Sequence, residues 1–528
     1  MIRRLHASLN KSLVCVSTLG FLVTSTLGFA AEAEKPNILF IIADDLGYDS
    51  LGCTGNPLEG LSPNVDKLAS ESLLIDHCFI TTPICGPSRN SIYSGLHPHS
   101  SGYMGHGSQP PLWWKNKKRP LAKKSITSEL FRNGYQTGIV GKHGTRWCKF
   151  SVKPYTHHAD TGMGRNPERF YQFTKDFLEK AKAEGKPFYL AANTSDPHRH
   201  WPRHKDESPR WIKEGMHGKE WQALENGKPY PDPLTQYQPE AVPVPASYPK
   251  EKKILPSLAT YYDAINRMDQ IVGVLLKALE ETGQADNTIV VFMSDHGMAW
   301  DFGKWSLYPS GTRTPFIIRW PGKIKANTRN ETSIISAVDV TPTLLDLCGL
   351  DPIENTDGKS FKSLTRGSDS PSWKRRYALS SYNYMNNAKE FDKANPEFSN
   401  DLAESNEQYR QSRAINTTKF CYVWNGWSDG ERELPRTMRG ELSFLLEKAS
   451  KNPSDSEYDS YDERLAHLKR RAPEELYDVQ KDPGCRNNLA NNPEYAETIA
   501  RLRKTMLSTM QKGNDHELEN YKSTLGKR

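Results

Sequence analysis

What this chain lacks narrows it first. Its eight cysteines run from Cys15 to Cys485 with no Cys-x-x-Cys pair. Neither a zinc ribbon nor a dense disulfide framework is implied, although one or two bridges fit an oxidising compartment. No block of Lys and Arg is dense or aromatic-interleaved enough to argue for a nucleic-acid partner. The formal charge of +7 over 528 residues is mild; it suits an anionic substrate without establishing one. Internal repeats and low-complexity tracts are absent. Only one long apolar run occurs, Leu13 to Phe29, behind Arg3, Arg4 and Lys11 and ending in Gly28-Phe29-Ala30-Ala31. Residues 1–31 read as a secretory signal, because the run is short of the ~20 residues that span a bilayer and is diluted by Ser, Thr and Gly. The mature chain is therefore expected to be secreted or periplasmic, with no membrane contact after cleavage.

Four apolar runs carry the positive information: Pro36–Ala43, Tyr135–Val140, Pro187–Ala192 and Asn287–Met293. Each reads as a strand buried on both faces of a parallel sheet. Each also ends in a knot of charge or imidazole: Asp44-Asp45, Lys142-His143, Asp196-Pro197-His198-Arg199-His200 and Asp295-His296. Open α/β sheets bind their ligands beyond the carboxyl ends of the strands, so Asp44, Asp45, Lys142, His143, His198, Asp295 and His296 should converge on one rim, alongside the Cys85 helix. Asp44 or Asp45 alone could be an N-cap. As an adjacent pair after a buried strand they repel each other unless a hard cation sits between them. Ser62-Pro63 opens a helix, and Ile265, Met268, Val272, Leu275, Leu276 and Leu279 lie at helical spacing, as core.

A β-prone run, Phe79 to Thr82, leads into Cys85-Gly86-Pro87-Ser88-Arg89. Pro87 suits the first position of a helix, with Cys85 and Gly86 at its mouth, where free N–H groups favour an anion. Arg89, one turn in, reaches back with a fork of donors matched to a tetrahedral oxyanion. The plain alternative is a buried small hydrophobe at Cys85 and a surface charge at Arg89.

Cys-x-Pro-Ser-Arg resembles the signature of the type I sulfatases, in the alkaline phosphatase-like superfamily. The likeness extends from about Pro36 to Leu489 through separated motifs in the right order, including Lys304 in Asp301-Phe302-Gly303-Lys304-Trp305, a strand at Phe316–Trp320, a helix start at Val338–Asp346, and Glu475-Leu476-Tyr477-Asp478. It implies an α/β fold: a large, mostly parallel sheet sandwiched by helices over residues 36–370, and a smaller C-terminal α+β subdomain on a short antiparallel sheet over 371–528. The Pro- and Trp-rich stretch 200–253 reads as an insertion or lid. The polar stretches Phe398–Gln411 and Lys448–Arg471 read as solvated loops or helix faces.

The resemblance further implies that Cys85 is oxidised to formylglycine (3-oxoalanine) by a formylglycine-generating enzyme. Asp44, Asp45, Asp295, His296 and the modified Cys85 would surround one divalent cation, usually calcium. Imidazole is an unusual calcium ligand, so His296 could instead hydrogen-bond to the nucleophile or the sulfate. Arg89, Lys142 and Lys304 would neutralise the sulfate. The aldehyde hydrate would attack sulfur with Asp295 as assisting base, His198 or Lys304 would protonate the leaving atom, and His143 would take a proton as the aldehyde reforms. Many members have one residue between this lysine and histidine; here Lys142 and His143 are adjacent. The expected substrate is a sulfated carbohydrate, O- or N-sulfated, with features similar to heparan N-sulfatase and to iduronate-2-sulfatase. The rivals are a phosphonate or phosphodiester hydrolase of the same superfamily and an unmodified, inactive glycan-binding homologue.

Overall fold

The computed structural model describes residues 35–104, 124–142, 157–159, 164–199, 230–250, 252–367, 372–383, 411–434 and 458–526. The signal reading of 1–31, His143, and the first part of the 200–253 insertion lie outside them.

Eight strands form the large sheet: β1 (Asn37–Ala43), β2 (Leu73–Phe79), β3 (Gln136–Gly141), β4 (His157–Ala159), β5 (Phe188–Asn193), β6 (Thr288–Ser294), β7 (Arg313–Arg319) and β8 (Thr328–Ser336). Their order is β4-β3-β5-β1-β6-β7-β2-β8. Only β7 runs against its neighbours β6 and β2. The central strand β1 is buried throughout, and its side chains alternate between two cores as a pleated strand requires. Leu39, Ile41 and Ala43 face a core shared with helices α1 (Pro63–Ser70), α4 (Pro167–Ala183) and α5 (Leu255–Glu281). Ile38, Phe40 and Ile42 face the other, with α2 (Cys85–Ser94), α3 (Ile126–Arg132) and α6 (Val340–Leu347). An apolar run with no polar face thus becomes the middle of a three-layer sandwich.

A second, antiparallel sheet has the order β12-β11-β10-β9, from β9 (Ala378–Tyr382), β10 (Ser412–Asn416), β11 (Phe420–Asn425) and β12 (Glu474–Asp478). Leu379, Ile415, Tyr422, Trp424 and Leu476 pack against Ile499, Leu502, Met506 and Met510 of α8 (Ala496–Lys512) and Tyr521 of α9 (Leu518–Gly526). The expected α/β fold with its small antiparallel sheet is the observed one.

Three local expectations need correction. The β-prone run was expected at Phe79–Thr82, but β2 lies earlier and ends at Phe79. Asp76, in its middle, is tolerated because Tyr48 and Arg329 both donate to its carboxylate. Strand β7 begins three residues before Phe316 and ends before Trp320. The stretch Lys448–Arg471 is not simply solvated. Its described part holds α7 (Tyr458–Lys469), and Arg464 and Arg471 are buried. Among the described residues no disulfide forms, and no helix is long and apolar enough to cross a membrane.

Candidate active site

Four strand ends and one helix start meet at the rim. Asp44 and Asp45 follow β1, Lys142 follows β3, His198 lies on the loop after β5, and Asp295 and His296 follow β6. Because β5, β1 and β6 are neighbours running the same way, their ends cannot avoid each other. Helix α2 begins at Cys85 after extended Ile84, with no side-chain cap, and every residue in it is buried. Its first N–H groups and dipole therefore point at the rim.

Cys85 Sγ lies 3.3 Å from Asp44 Oδ1, 3.3 Å from His296 Nε2 and 3.4 Å from Lys304 Nζ. Lys304 holds both oxygens of Asp45, at 2.8 and 3.1 Å, and Lys142 contacts Asp44. Arg89 Nε donates to Asp295 Oδ2 at 2.9 Å, and its Nη2 sits 3.8 Å from Asp44. His198 Nε2 is 3.7 Å from Asp45 Oδ2, its side chain about one-third exposed. Asp45 has left-handed backbone (φ 66), and its N–H donates to Asp295 Oδ1. Strain of that kind persists only where surroundings fix it.

The donor set carries an electrostatic message. His296 Nδ1 faces the Gly297 carbonyl at 2.9 Å; since a carbonyl only accepts, the proton sits on Nδ1 and the Nε2 lone pair points inward. That lone pair faces Asp45 Oδ1 at 3.2 Å and Asp295 Oδ1 at 3.7 Å, an acceptor aimed at acceptors. Ligand atoms of Asp44, Cys85, Asp295 and His296 all lie within 4.8 Å of one another, as do those of Asp44, Asp45, Cys85 and His198. Such a donor set fits a cation. The oxygen-rich part suits a hard ion.

The ionisation pattern agrees. Burial lowers His296, favouring the neutral ring, though Asp295 and Asp45 oppose it. Burial would raise Asp295, but the surrounding cations Arg89, Lys142 and Lys304 outweigh it and hold the carboxyl well below the usual range. Burial pushes the Cys85 thiol up to about 12 against the pull of Lys304; a thiol kept protonated is a poor nucleophile. Lys142 is lowered to about 7, chiefly by burial. Lys304 is raised, because Asp45 more than offsets the cost of burying it.

Every described residue expected at the site is there: Asp44, Asp45, Cys85, Arg89, Lys142, His198, Asp295, His296 and Lys304. Two supports were not read from the sequence. Asn193, the last residue of β5, accepts from Arg89 Nη1 at 2.9 Å and from Tyr93 OH at 3.2 Å. Asp196 is gripped by Arg267 at 2.7 and 3.0 Å and by Arg165 at 3.2 Å. Arg165 also donates to the His198 carbonyl at 2.6 Å. A polar residue closing an apolar strand was the available signal for Asn193. The arginines gave none, lying far away in sequence.

Comparison with known proteins agrees with this geometry. The family model described as Sulfatase matches residues 36–350. An ulvan-active sulfatase of Formosa agariphila is 26% identical, with 93% of this chain and 83% of that protein aligned. Human N-sulphoglucosamine sulphohydrolase is also 26% identical, with 89% of each chain aligned. Among solved structures, a 2-O GAG sulfatase superposes with a TM-score of 0.60 at 21% identity, covering 91% of this chain and 93% of that one.

Proposed function

This chain belongs to the sulfatase family, and from that premise we propose that it cleaves sulfate from a sulfated carbohydrate, at an O- or N-sulfate, using formylglycine made from Cys85 and one divalent cation. The observation that carries this is the seat of residue 85: the head of a buried helix, within 3.4 Å of a carboxylate, an imidazole and an ammonium. Two relatives of similar coverage act on glycans, as ulvan-active and N-sulphoglucosamine enzymes. The leader reading of 1–31 supports a secreted or periplasmic protein matured by a formylglycine-generating enzyme.

When bound, the two groups supply a hydrated aldehyde as nucleophile and a Lewis-acid charge beside it. The chain's own residues do the rest. At the rim, three carboxylates (Asp44, Asp45, Asp295) balance three cations (Arg89, Lys142, Lys304), so adding a divalent ion turns the pocket net positive, as an anionic ester needs. Arg89, fixed by Asp295 and Asn193, orients one charge without freedom to wander. Asp295 Oδ2 is held by Arg89, and Oδ1, which among the described residues accepts only the Asp45 N–H, is the oxygen to take the nucleophile's proton. His198 Nε2 or Lys304 Nζ delivers a proton to the leaving oxygen or nitrogen. His143, outside the described residues, is the candidate acceptor for the second half-reaction.

Intact mass of the Cys85 peptide tests the reading, since conversion of CH2SH to CHO removes about 18 Da. An unmodified, inactive protein would point to the glycan-binding alternative. Faster turnover of aryl phosphate diesters or phosphonates than of any sulfate ester would point to the superfamily rival.

A further inference from the structure

Lys304 sits in a loop with unusual backbone. Phe302 and Trp305, on either side of Gly303-Lys304, have φ of 65 and 67. Bulky residues reach that region only under constraint. A side chain at Gly303 would strike the Met298 carbonyl at 2.3 Å. The Phe302 carbonyl accepts both Ser306 and Ser310 hydroxyls, at 2.5 and 2.6 Å. The Lys304 N–H donates to Met298 O and the Trp305 N–H to Pro83 O, two residues before Cys85.

The Phe302 ring is what lies outside this loop's own network. It is 1% exposed, and the guanidinium of Arg464 covers it at 3.4 Å from the ring centroid. His467 and Tyr308 rings flank it at 5.4 and 5.7 Å. Arg464, on α7, spends its donors mostly on backbone carbonyls, Nη1 on Cys485 at 3.1 Å, Nη2 on Gly484 at 2.7 Å, and Nη2 and Nε on Ser247 at 3.0 and 3.2 Å, while Nη1 also meets His467 Nδ1 at 3.0 Å. One planar cation thus joins α7, the turn after β12 and the 246–247 segment over one ring. A cation on an aromatic face is favourable, more so when desolvated. The flat fork cannot be copied by a lysine.

We infer that Arg464 is a positioning residue for Lys304: by clamping Phe302 it fixes the left-handed turn that aims Nζ at Asp45 and Cys85. This rests on the sulfatase reading, in which Lys304 neutralises the ester or protonates its leaving atom. The α7 segment then tunes a catalytic lysine it does not touch.

The test is a double-mutant cycle in the full-length, formylglycine-containing enzyme, with turnover scaled to the aldehyde content of each variant. Arg464→Met should lower kcat on the order of 10- to 100-fold, the range for a misplaced catalytic group, with a smaller change in KM. Phe302→Leu, a second entry to the same clamp, should fall in the same direction. Arg464→Lys should not rescue. In a Lys304→Ala background, Arg464→Met should have little further effect, because both changes remove one contribution. Arg470→Met, at a solvent-facing arginine paired with Glu433, should leave kcat unchanged. Wild-type turnover in Arg464→Met and Phe302→Leu would overturn the inference, as would an undiminished loss in the Lys304→Ala background. A wild type that cleaves no sulfate ester would overturn the sulfatase reading as well.

Discussion

The rim of the large sheet and the interior beside the small one both bury carboxylates next to cations, and they do so in opposite ways. Arg413 and Asp515 are both fully buried and meet as a two-pronged pair at 2.6 and 2.7 Å, with the remaining Nη1 given to the Ser412 carbonyl. Glu475 is saturated too. Asn425 donates to Oε1, and Tyr308 and Tyr477 to Oε2. At the rim, Asp45 Oδ1 and Asp295 Oδ1 accept from Lys304 Nζ and from the Asp45 N–H, yet each also faces the unprotonated Nε2 of His296. A pair built for stability meets only donors inside the protein, whereas the rim also sets acceptors against one another. Residue type alone does not distinguish them. Direction does.

That contrast can be broken most sharply at Asp44. Asp44→Asn should cut kcat on the order of 1000-fold while shifting urea stability by less than about 1 kcal/mol. Its partner Lys142 is partly exposed and can return to water, and Arg89 keeps Asp295. An unfolded variant would place Asp44 with the structural pairs instead. The converse change is Arg413→Met, which strands the Asp515 carboxylate. Urea titration should show a loss of about 3–5 kcal/mol, with kcat per folded molecule unaltered.

The smallest effect is acid sensitivity at Glu475. Burial would raise this carboxyl, but His467, Arg471 and Tyr308 outweigh it and bring it from 4.5 to about 2. A folded pKa below the unfolded one gives stability that is complete above the unfolded value and fades as pH falls toward the folded one. The gap corresponds to roughly 3 kcal/mol. Urea midpoints of wild type and Glu475→Gln, compared at pH 7 and pH 3, should differ most at pH 7 and converge in acid. A constant gap would show that Glu475 is not held ionised by its neighbours.

Much of the rim was legible because its grammar is local. A largely apolar strand with charge within a few residues of its end is a buried strand with a working end, and β1, β3, β5 and β6 follow that pattern, β1 most plainly. Cys85 and Arg89 were legible from a resemblance, and from a proline that marks a helix start, although the helix begins two residues before Pro87, at Cys85 itself. What stayed hidden depends on distant partners. Nothing near Asp196 foretells Arg267, 71 residues on. Asp76 disguises β2 because the arginines that meet it, Arg313 at its carbonyl and Arg329 at its carboxylate, come more than 230 residues later. Arg464 and Arg471 look like surface charge in a polar stretch, and only the fold turns them inward onto Phe302 and Tyr308.

The 219 residues between Cys85 and Lys304 have a consequence for timing. The finished protein leaves only 2% of Cys85 exposed, too little for another enzyme to grasp. At synthesis rates of about 5–20 residues per second, the segment that seals Cys85 emerges roughly 10–40 s after it does. Any oxidation of this thiol by a second protein belongs to that interval, or to a period when the chain is held unfolded. On the proposed formylglycine chemistry, a host that folds the chain faster than it delivers the oxidising partner would accumulate protein that is well folded and permanently idle.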